Sequence, residues 1–401
     1  MASKTMNNTS HIPTGYKSSS LGIIPEDWEV KMLGEVCIND GDYGLNAPAT
    51  DYDENLPTYL RITDIDDDGN FNQSNKKSVN SPLSENYYLK DGDIVFARTG
   101  ATVGKTYLYD KTDGELVYAG FLIKFTPDKE RILPYYLKSQ TNTKEYTNWV
   151  SITSQRSGQP GINAAEYCSY KFALPSLAEQ KRICNLLSLW DTAIAKQTQL
   201  IEKLTLRKKG LMQQLLTGKK RLKGFEWDWK EVKLGEICPM ERGEMLTSDN
   251  YLQGNIPVIA GGKEPAGFHS YANRQKNTIT ISCSGASAGF VAFHDTPIFA
   301  TDCFTISESN AYNIWFIYHV LTDLQEKIYM LQTGGAQPHV HPKDVYPMKI
   351  HIPIIDEQNA IASVLVNADK EIEIQKQKLE QLQNQKRGLM QVLLTGKRRV
   401  K

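Results

Sequence analysis

The chain has 401 residues, of which 40% are hydrophobic, and 46 Lys+Arg balance 46 Asp+Glu. That length argues for two or three domains, the composition excludes wholesale disorder, and the apolar runs fall far short of the roughly 20 residues that span a bilayer. A net charge of zero speaks against a nucleic-acid partner only until the charge is located along the chain.

Residues 1–26 form a polar leader with no apolar stretch typical of a signal peptide. The six cysteines (37, 168, 184, 238, 283 and 303) are widely spaced and include no CxxC pair, so neither a disulfide framework nor a zinc site is expected. The expected setting is the cytoplasm, with reduced thiols and no bound metal.

A first body follows over residues 27–174, opening with Asp27-Trp28 and Leu33-Gly34-Glu35-Val36-Cys37. Its stretch Asp64-Ile65-Asp66-Asp67-Asp68-Gly69 fits half a calcium loop. Position twelve is Asn75, however, and the residues before it are β-like, so a polar turn is the better reading. Gly100-Ala101-Thr102-Val103-Gly104-Lys105-Thr106 is one residue short of a phosphate loop. It runs into another strand pattern at Tyr107-Leu108-Tyr109 and reads as a glycine-rich turn between strands.

Residues 175–227 hold a long helix and a linker, 228–352 a second body, and 353–401 a second helix with a basic tail. The two helical segments, 175–221 and 353–399, align at a constant offset of 178 with 22 identities in 47 positions. The opening recurs as Asp228-Trp229 and Leu234-Gly235-Glu236-Ile237-Cys238. The chain is therefore an internal duplication. Between the bodies only scattered matches survive, among them Gly100-Ala101 with Gly285-Ala286 and Gln159-Pro160 with Gln337-Pro338.

In the first helix the apolar seam runs Ile183, Leu187, Trp190, Ile194, Ile201, Leu204, Leu211 and Leu215. In the second it runs Ile361, Leu365, Ile372, Leu379, Leu382, Leu389 and Leu393. Steps of four and three alternate once Gln197, Lys208, Gln375 and Lys386 are admitted, which is a heptad seam. At ~1.5 Å per residue each helix is roughly 57 Å long, and Thr-Gly ends it with a glycine cap. The seams either serve separate interfaces with other chains or pair antiparallel within this one; the tandem arrangement favours the second, as a pseudo-twofold coiled-coil spacer, with Gln197 and Gln375 setting the register. The fold class is then α+β, with two α/β bodies joined by two long helices.

The segments 1–26, 27–174, 175–227, 228–352 and 353–401 carry +1, −7, +7, −4 and +3. Basic helices thus offset acidic bodies. The clusters Arg207-Lys208-Lys209, Lys219-Lys220-Arg221 and Lys397-Arg398-Arg399 read either as solvated faces or as phosphate-neutralising stretches.

Catalytic machinery is missing. There is no adenine-methyltransferase tetrad, no glycine-rich cofactor fingerprint and no serine nucleophile elbow, and Asp228-Trp229-Lys230 lacks the partner a nuclease needs. His339-Val340-His341 offers two imidazoles without a further ligand, as surface histidines or base contacts. The chain reads as a binder without catalysis.

The Trp…Leu-Gly-Glu openings, the Pro-x-x-x-Glu-Gln helix starts at Pro175 and Pro353 and the Gly-Leu-Met-Gln…Leu-Leu-Thr-Gly-Lys ends occur twice, in the same order. In this the chain resembles the specificity (S) subunits of type I restriction–modification enzymes, over about residues 28–399. The resemblance implies two target recognition domains, each reading half of a split asymmetric DNA site. It implies helices that set the spacing and dock two methyltransferase subunits, with restriction subunits in the full complex. The helix starts Glu179, Gln180, Glu357 and Gln358 are expected at the partner contacts. S-adenosylmethionine, ATP and Mg would belong to those partners, with no cofactor on this chain. Chemistry alone nominates Arg98, Lys105, Gln155 and Arg156 in the first body, and Lys263, Arg274, Gln337 and His339 in the second, as DNA contacts. A scaffold that assembles proteins without reading DNA is the competing expectation.

Overall fold

The computed structural model describes residues 12–247 and 253–400, so residues 1–11 of the leader lie outside the described part. It divides into two compact units. Unit 1 comprises residues 1–196 with 379–401, and unit 2 comprises residues 197–378.

Unit 1 begins with a hairpin, β1 (Tyr16–Ser19) and β2 (Gly22–Pro25), followed by β3 (Glu29–Met32). The leader thus ends in ordered structure, because Ile24 is buried in the core of the unit. Next come β4 (Asp42–Tyr43), β5 (Thr50–Asp51), β6 (Thr58–Leu60), β7 (Lys77–Ser78), β8 (Ile94–Ala97), β9 (Thr106–Leu108), β10 (Leu116–Tyr118) and β11 (Leu122–Phe125). Helices α1 (Pro134–Gln140), α2 (Lys144–Thr153) and α3 (Ala164–Cys168) precede β12 (Lys171–Leu174) and the long α4 (Leu177–Leu215). Strands β4-β11-β8-β9 form one sheet and β10-β6-β7-β5 another, while β12 pairs antiparallel with β3.

Unit 2 repeats this plan with β13 (Lys230–Lys233), α5 (Leu234–Ile237), β14 (Glu241–Arg242), β15 (Ile256–Ile259), β16 (Gly267–His269), β17 (Thr278–Ser282), β18 (Val291–His294), β19 (Phe299–Ala300) and β20 (Cys303–Ile306). Then follow α6 (Ile314–Asp323), α7 (Gln325–Tyr329), α8 (Pro342–Val345), β21 (Lys349–Ile352) and α9 (Ile355–Leu393). Its sheets are β14-β20-β17-β18 and β16-β15-β19, with β13 against β21. Even the parallel pairs correspond, β10 with β6 and β19 with β15. Duplication therefore extends through bodies whose sequences barely match, because buried strands need only the right apolar pattern to keep a fold.

The helices are not a separate spacer segment, as their sequence range suggests. Ile183 and Leu187 near the start of α4 lie in the core of unit 1, together with Met390, Leu393 and Leu394 from the end of α9. Met212, Leu215 and Leu216 from the end of α4 share the core of unit 2 with Ile361, Ala362 and Leu365 from the start of α9. Each such Ile, Leu or Met side chain contributes about 1.5–3 kcal/mol by leaving water, so each unit depends on both helices. None of the predicted seam residues is exposed.

Within each unit the two helices run antiparallel, so the intramolecular alternative holds. In unit 2 the Gln197 amide donates to the Gln375 carbonyl (3.0 Å) and side-chain oxygen (2.8 Å), joining the two equivalent mid-seam glutamines. Lys208 pairs there with Asp369. The equivalent pair in unit 1, with the helices exchanged, is Lys386 with Asp191. The two lysines that interrupt the apolar seam each find a carboxylate on the opposite helix.

The repeated motifs have a common physical job. Trp28 is fully buried and donates its indole N–H to Glu179 (3.1 Å), and Trp229 does the same to Glu357 (3.2 Å). Leu33 and Leu234 are core residues, and Glu35 and Glu236 cap the short turns that follow by accepting from the Met32 and Lys233 backbone N–H. Gly34 and Gly235 lack a Cβ because one would press on Cys168 or Tyr346. At the helix ends Gly218 and Gly396 adopt φ of 68° and 72°, which turns the chain and delivers Arg221 and Arg399 back to the carboxylates. Arg399 forms a bidentate pair with Glu179 (3.0 and 2.6 Å), and Arg221 with Glu357 (2.6 and 2.7 Å).

Glu179, Gln180, Glu357 and Gln358 are consequently buried, which corrects their assignment to partner docking. Gln180 accepts from the Leu133 N–H (2.9 Å) and donates to the Pro175 carbonyl (2.9 Å). Gln358 makes the same bonds to Asn313 (2.9 Å) and Pro353 (2.9 Å). Their polar atoms are spent inside the chain.

Each arginine is partly exposed while its carboxylate is buried, so removing the arginine strands a buried acceptor at a cost of about 1–3 kcal/mol. Arg399→Ala is therefore expected to loosen unit 1 and Arg221→Ala unit 2. Hydrogen exchange should show protection lost around Trp28 in the first variant and around Trp229 in the second. Loss in the opposite unit would contradict the exchange of helix tails. A second expectation concerns acid. His319 on α6 is fully buried, and burial, with a smaller contribution from the Lys208 charge, pushes its pKa down to about 3. Burial likewise lowers His294 to about 4. Both are neutral when folded and bind protons when unfolded, so unit 2 keeps this stability above pH ~6.5 and loses it as pH falls toward 4 and 3, at up to about 1.4 kcal/mol per pH unit per histidine. Denaturant titrations from pH 7 to 4 should show that slope, and His319→Phe should reduce it.

Candidate nucleic-acid interface

The sequence candidates of the first body converge on two neighbouring loops of unit 1. The strand β8 ends at Ala97, and Arg98-Thr99 lead into a 3-10 turn at Gly100–Thr102 before β9. The loop after α2 carries Gln155 and Arg156 and returns beside it. The Gly100 N–H donates to the Pro160 carbonyl (3.0 Å) and the Ile162 N–H to the Arg98 carbonyl (2.9 Å).

The side chains are not equivalent. The Arg98 guanidinium stacks over the Tyr43 ring at 4.8 Å and, among the described residues, forms no ion pair. Beside it lies an open depression lined by Asp40, Tyr43, Asn163, Ala164 and Cys168. The Tyr43 hydroxyl there accepts from the Ala164 N–H at 3.2 Å. Gln155 is exposed. Lys105 is half-buried and paired with Asp67 (2.7 Å), whose carboxyl it holds below the usual range. Arg156 is fixed on both oxygens of Glu166 (2.6 Å each) and on the Thr153 and Gln155 carbonyls (2.8 Å each). It shapes its loop, and its charge is matched.

Unit 2 places three of its four candidates together. The turn after β17 pairs with the loop holding Gln337 and His339 through Gly285 N–H to Pro338 O (3.0 Å) and Val340 N–H to Cys283 O (3.0 Å). The Lys263 ammonium lies 5.5 Å from the Phe290 ring at the end of the same turn. His339 and His341 stack nearly parallel at 6.2 Å. Arg274 lies apart, with its side chain only 12% exposed. It donates to Thr305 Oγ1 (2.7 Å), the Asn273 carbonyl (2.8 Å) and the Arg242 carbonyl (2.9 Å), bracing a sheet edge.

The readings of the acidic and glycine-rich stretches agree with this geometry. Asp64 accepts from the Arg61 backbone and guanidinium (2.9, 2.9 and 2.6 Å), and Asp66 accepts from Asn70. The residues that resemble a phosphate loop join two strands, with no helix to receive an anion. Among the described residues no cluster of three or more His, Cys, Asp or Glu could hold a metal, and no helix is long and apolar enough to cross a membrane. All six cysteines are free thiols; burial pushes Cys238, Cys283 and Cys303 up to about 12, which keeps them unreactive.

Sequence reasoning missed Tyr43, which no local pattern marks, and Gln159, whose repetition at Gln337 was a usable signal. What remains on each unit is a polar two-loop surface bearing a cation that, among the described residues, forms no ion pair.

Known proteins share both sequence and fold with this chain. Residues 25–206 and 226–384 match the family described as type I restriction modification DNA specificity domain. The chain is 29% identical over 416 positions to a putative type I restriction enzyme MjaX specificity subunit of Methanocaldococcus jannaschii, covering 96% of this chain and 97% of that protein. It is 25% identical over 416 positions to the MjaVIII specificity subunit of the same organism, covering 94% of each. In fold it is similar to the crystal structure of a type I restriction–modification S subunit from M. genitalium, with a TM-score of 0.60 and 18% identity over 91% of this chain and 95% of that one. Two matches to the specificity domain cover most of the chain, on a duplicated fold shared with S subunits: it belongs to the specificity subunits of type I restriction–modification systems.

Proposed function

We propose that each unit reads one half of a bipartite, asymmetric DNA sequence and that α4 and α9 set the distance between the halves. As a specificity subunit the chain is a non-catalytic component that assembles with methyltransferase and restriction subunits on DNA. The observation that carries the finer reading is the contrast within the duplication. Two bodies of different sequence are held on one repeated frame of Trp, Glu and Arg contacts. Different readers on identical mounts suit a site whose halves differ in sequence.

The helices also offer surface to partners. Leu189, Leu200, Leu206 and Ile374 are exposed apolar residues on α4 and α9 that the intrachain seam leaves uncovered, and such residues anchor protein interfaces. We assign the docking of two methyltransferase subunits to this face. S-adenosylmethionine, ATP and Mg then act on the partner subunits, and the complex works in the cytoplasm.

Sequencing of methylated sites in cells that carry this chain and its modification partner should reveal a split motif. Exchange of residues 38–174 for the first body of another specificity subunit should change one half-site and leave the other intact. Changes in both halves, or no defined motif, would favour a protein scaffold that reads no DNA. Insertion of one heptad into each helix, near Gln197 and Gln375, adds about 10 Å and should lengthen the spacer by about three base pairs without altering the bases read.

A further inference from the structure

We propose that the turn at residues 100–104 with the loop at 154–162, and the turn at 285–289 with the loop at 332–340, are two copies of one grip on the DNA sugar-phosphate backbone, with Gln159 and Gln337 as its donors. This rests on the reading of the chain as a DNA-binding subunit and deepens it. It separates residues that hold DNA from residues that distinguish bases.

The bodies have kept few identical residues, and folding brings several of them to one place. Gly100-Ala101 lies against Gln159-Pro160 in unit 1, and Gly285-Ala286 against Gln337-Pro338 in unit 2, through the same backbone bond of 3.0 Å. Thr99 bridges Gly161 as Ser284 bridges His339. Gly104 and Gly289 close the turns with equivalent bonds to Ala97 (2.9 Å) and Ser282 (2.8 Å).

Folding accounts for only part of this identity. The glycines are required, since Gly100, Gly104, Gly285 and Gly289 have φ of 73°, 87°, 80° and 86°. A Cβ on Gly104 would also strike Val150, and one on Gly289 would crowd Ile328. The alanines and glutamines are different. Ala101, Ala286, Gln159 and Gln337 are all exposed, and among the described residues neither glutamine side chain makes a hydrogen bond. The Gln159 amide lies over the turn, 3.0 Å from where a Gly100 Cβ would stand.

An identity that packing does not demand, kept at the same point of two bodies that read different bases, serves what the two half-sites have in common. The sugar-phosphate backbone is the same whatever the sequence, and side-chain amides donate to its oxygens. The small alanine lets a backbone approach, and a cation that forms no ion pair among the described residues stands near each turn, Arg98 in unit 1 and Lys263 in unit 2. A protein partner fits less well, because the exposed tip (Ser157 and Gly158; Gly335 and Ala336) has no large apolar anchor.

The test uses the full chain assembled with its methyltransferase partner and fluorescent duplexes carrying the intact site, a scrambled first half or a scrambled second half. Gln159→Ala and Gln337→Ala should each weaken binding roughly tenfold, as loss of a hydrogen bond to a charged group does. The factor should be the same on all three duplexes, and the methylated motif should be unchanged. Gln159→Asn, which keeps the amide on a shorter stem, should lose less than Gln159→Ala. The proposal fails if the loss from Gln159→Ala vanishes when one half-site is scrambled, since the residue would then read bases. It fails equally if affinity for DNA is unchanged, whether or not partner assembly suffers. Should the unmutated complex show no preference for any split site, the underlying DNA-reading function falls, which is a distinct result.

Discussion

Two buried carboxylates organise this molecule. Glu179 and Glu357 are placed where no water reaches them, and an ionised carboxylate there is tolerable only with full hydrogen bonding and an opposite charge. The indole N–H of the opening tryptophan supplies one bond, and the arginine that follows the other helix supplies the charge. Each unit is therefore closed by a segment from the opposite copy of the duplication, and neither copy is self-sufficient. The glycine turn after each helix, the basic tail and the Trp…Leu-Gly-Glu opening all follow from meeting that requirement twice.

The paired helices obey a related constraint. A purely apolar seam of this length would tolerate sliding, because one leucine packs much like the next. Polar residues inside it remove that freedom. Gln197 bonds its own equivalent, Gln375, and the lysines that break the seam meet Asp369 and Asp191. A slip of one heptad would strand each of these groups, so the register of the two helices is written in the few positions that look like defects in the pattern.

The functional surfaces show why charge is a poor guide to contact. Arg156 and Arg274 look like equally good DNA ligands in the sequence, yet one is held by Glu166 and the other by Thr305 and backbone carbonyls. Arg399, in the densest basic cluster at the end of the chain, is occupied by Glu179 and Asp27. Arg98 and Lys263 lie over aromatic rings and, among the described residues, form no ion pair. The partners that decide this lie tens to hundreds of residues away, so no local window could have separated the two groups. Glu179 and Gln180 teach the same lesson: a polar pair on the first turn of a helix reads as surface until the arginine 220 positions later closes over it.

From the sequence alone came the duplication, the long paired helices with their glycine caps, the glycine-rich strand turns, the absence of catalytic motifs and the family. The family came from the resemblance of repeated motifs and the rest from spacing and periodicity, which survive without knowledge of what packs against what. Tertiary structure alone decided which ends of which helices share a core, that the Glu-Gln helix starts are buried, and that two scattered matches, Gly-Ala and Gln-Pro, meet at one point on each body. Those outcomes depend on burial and on charge pairing across long stretches of chain, and desolvation makes the fate of a polar side chain a property of its neighbours in space.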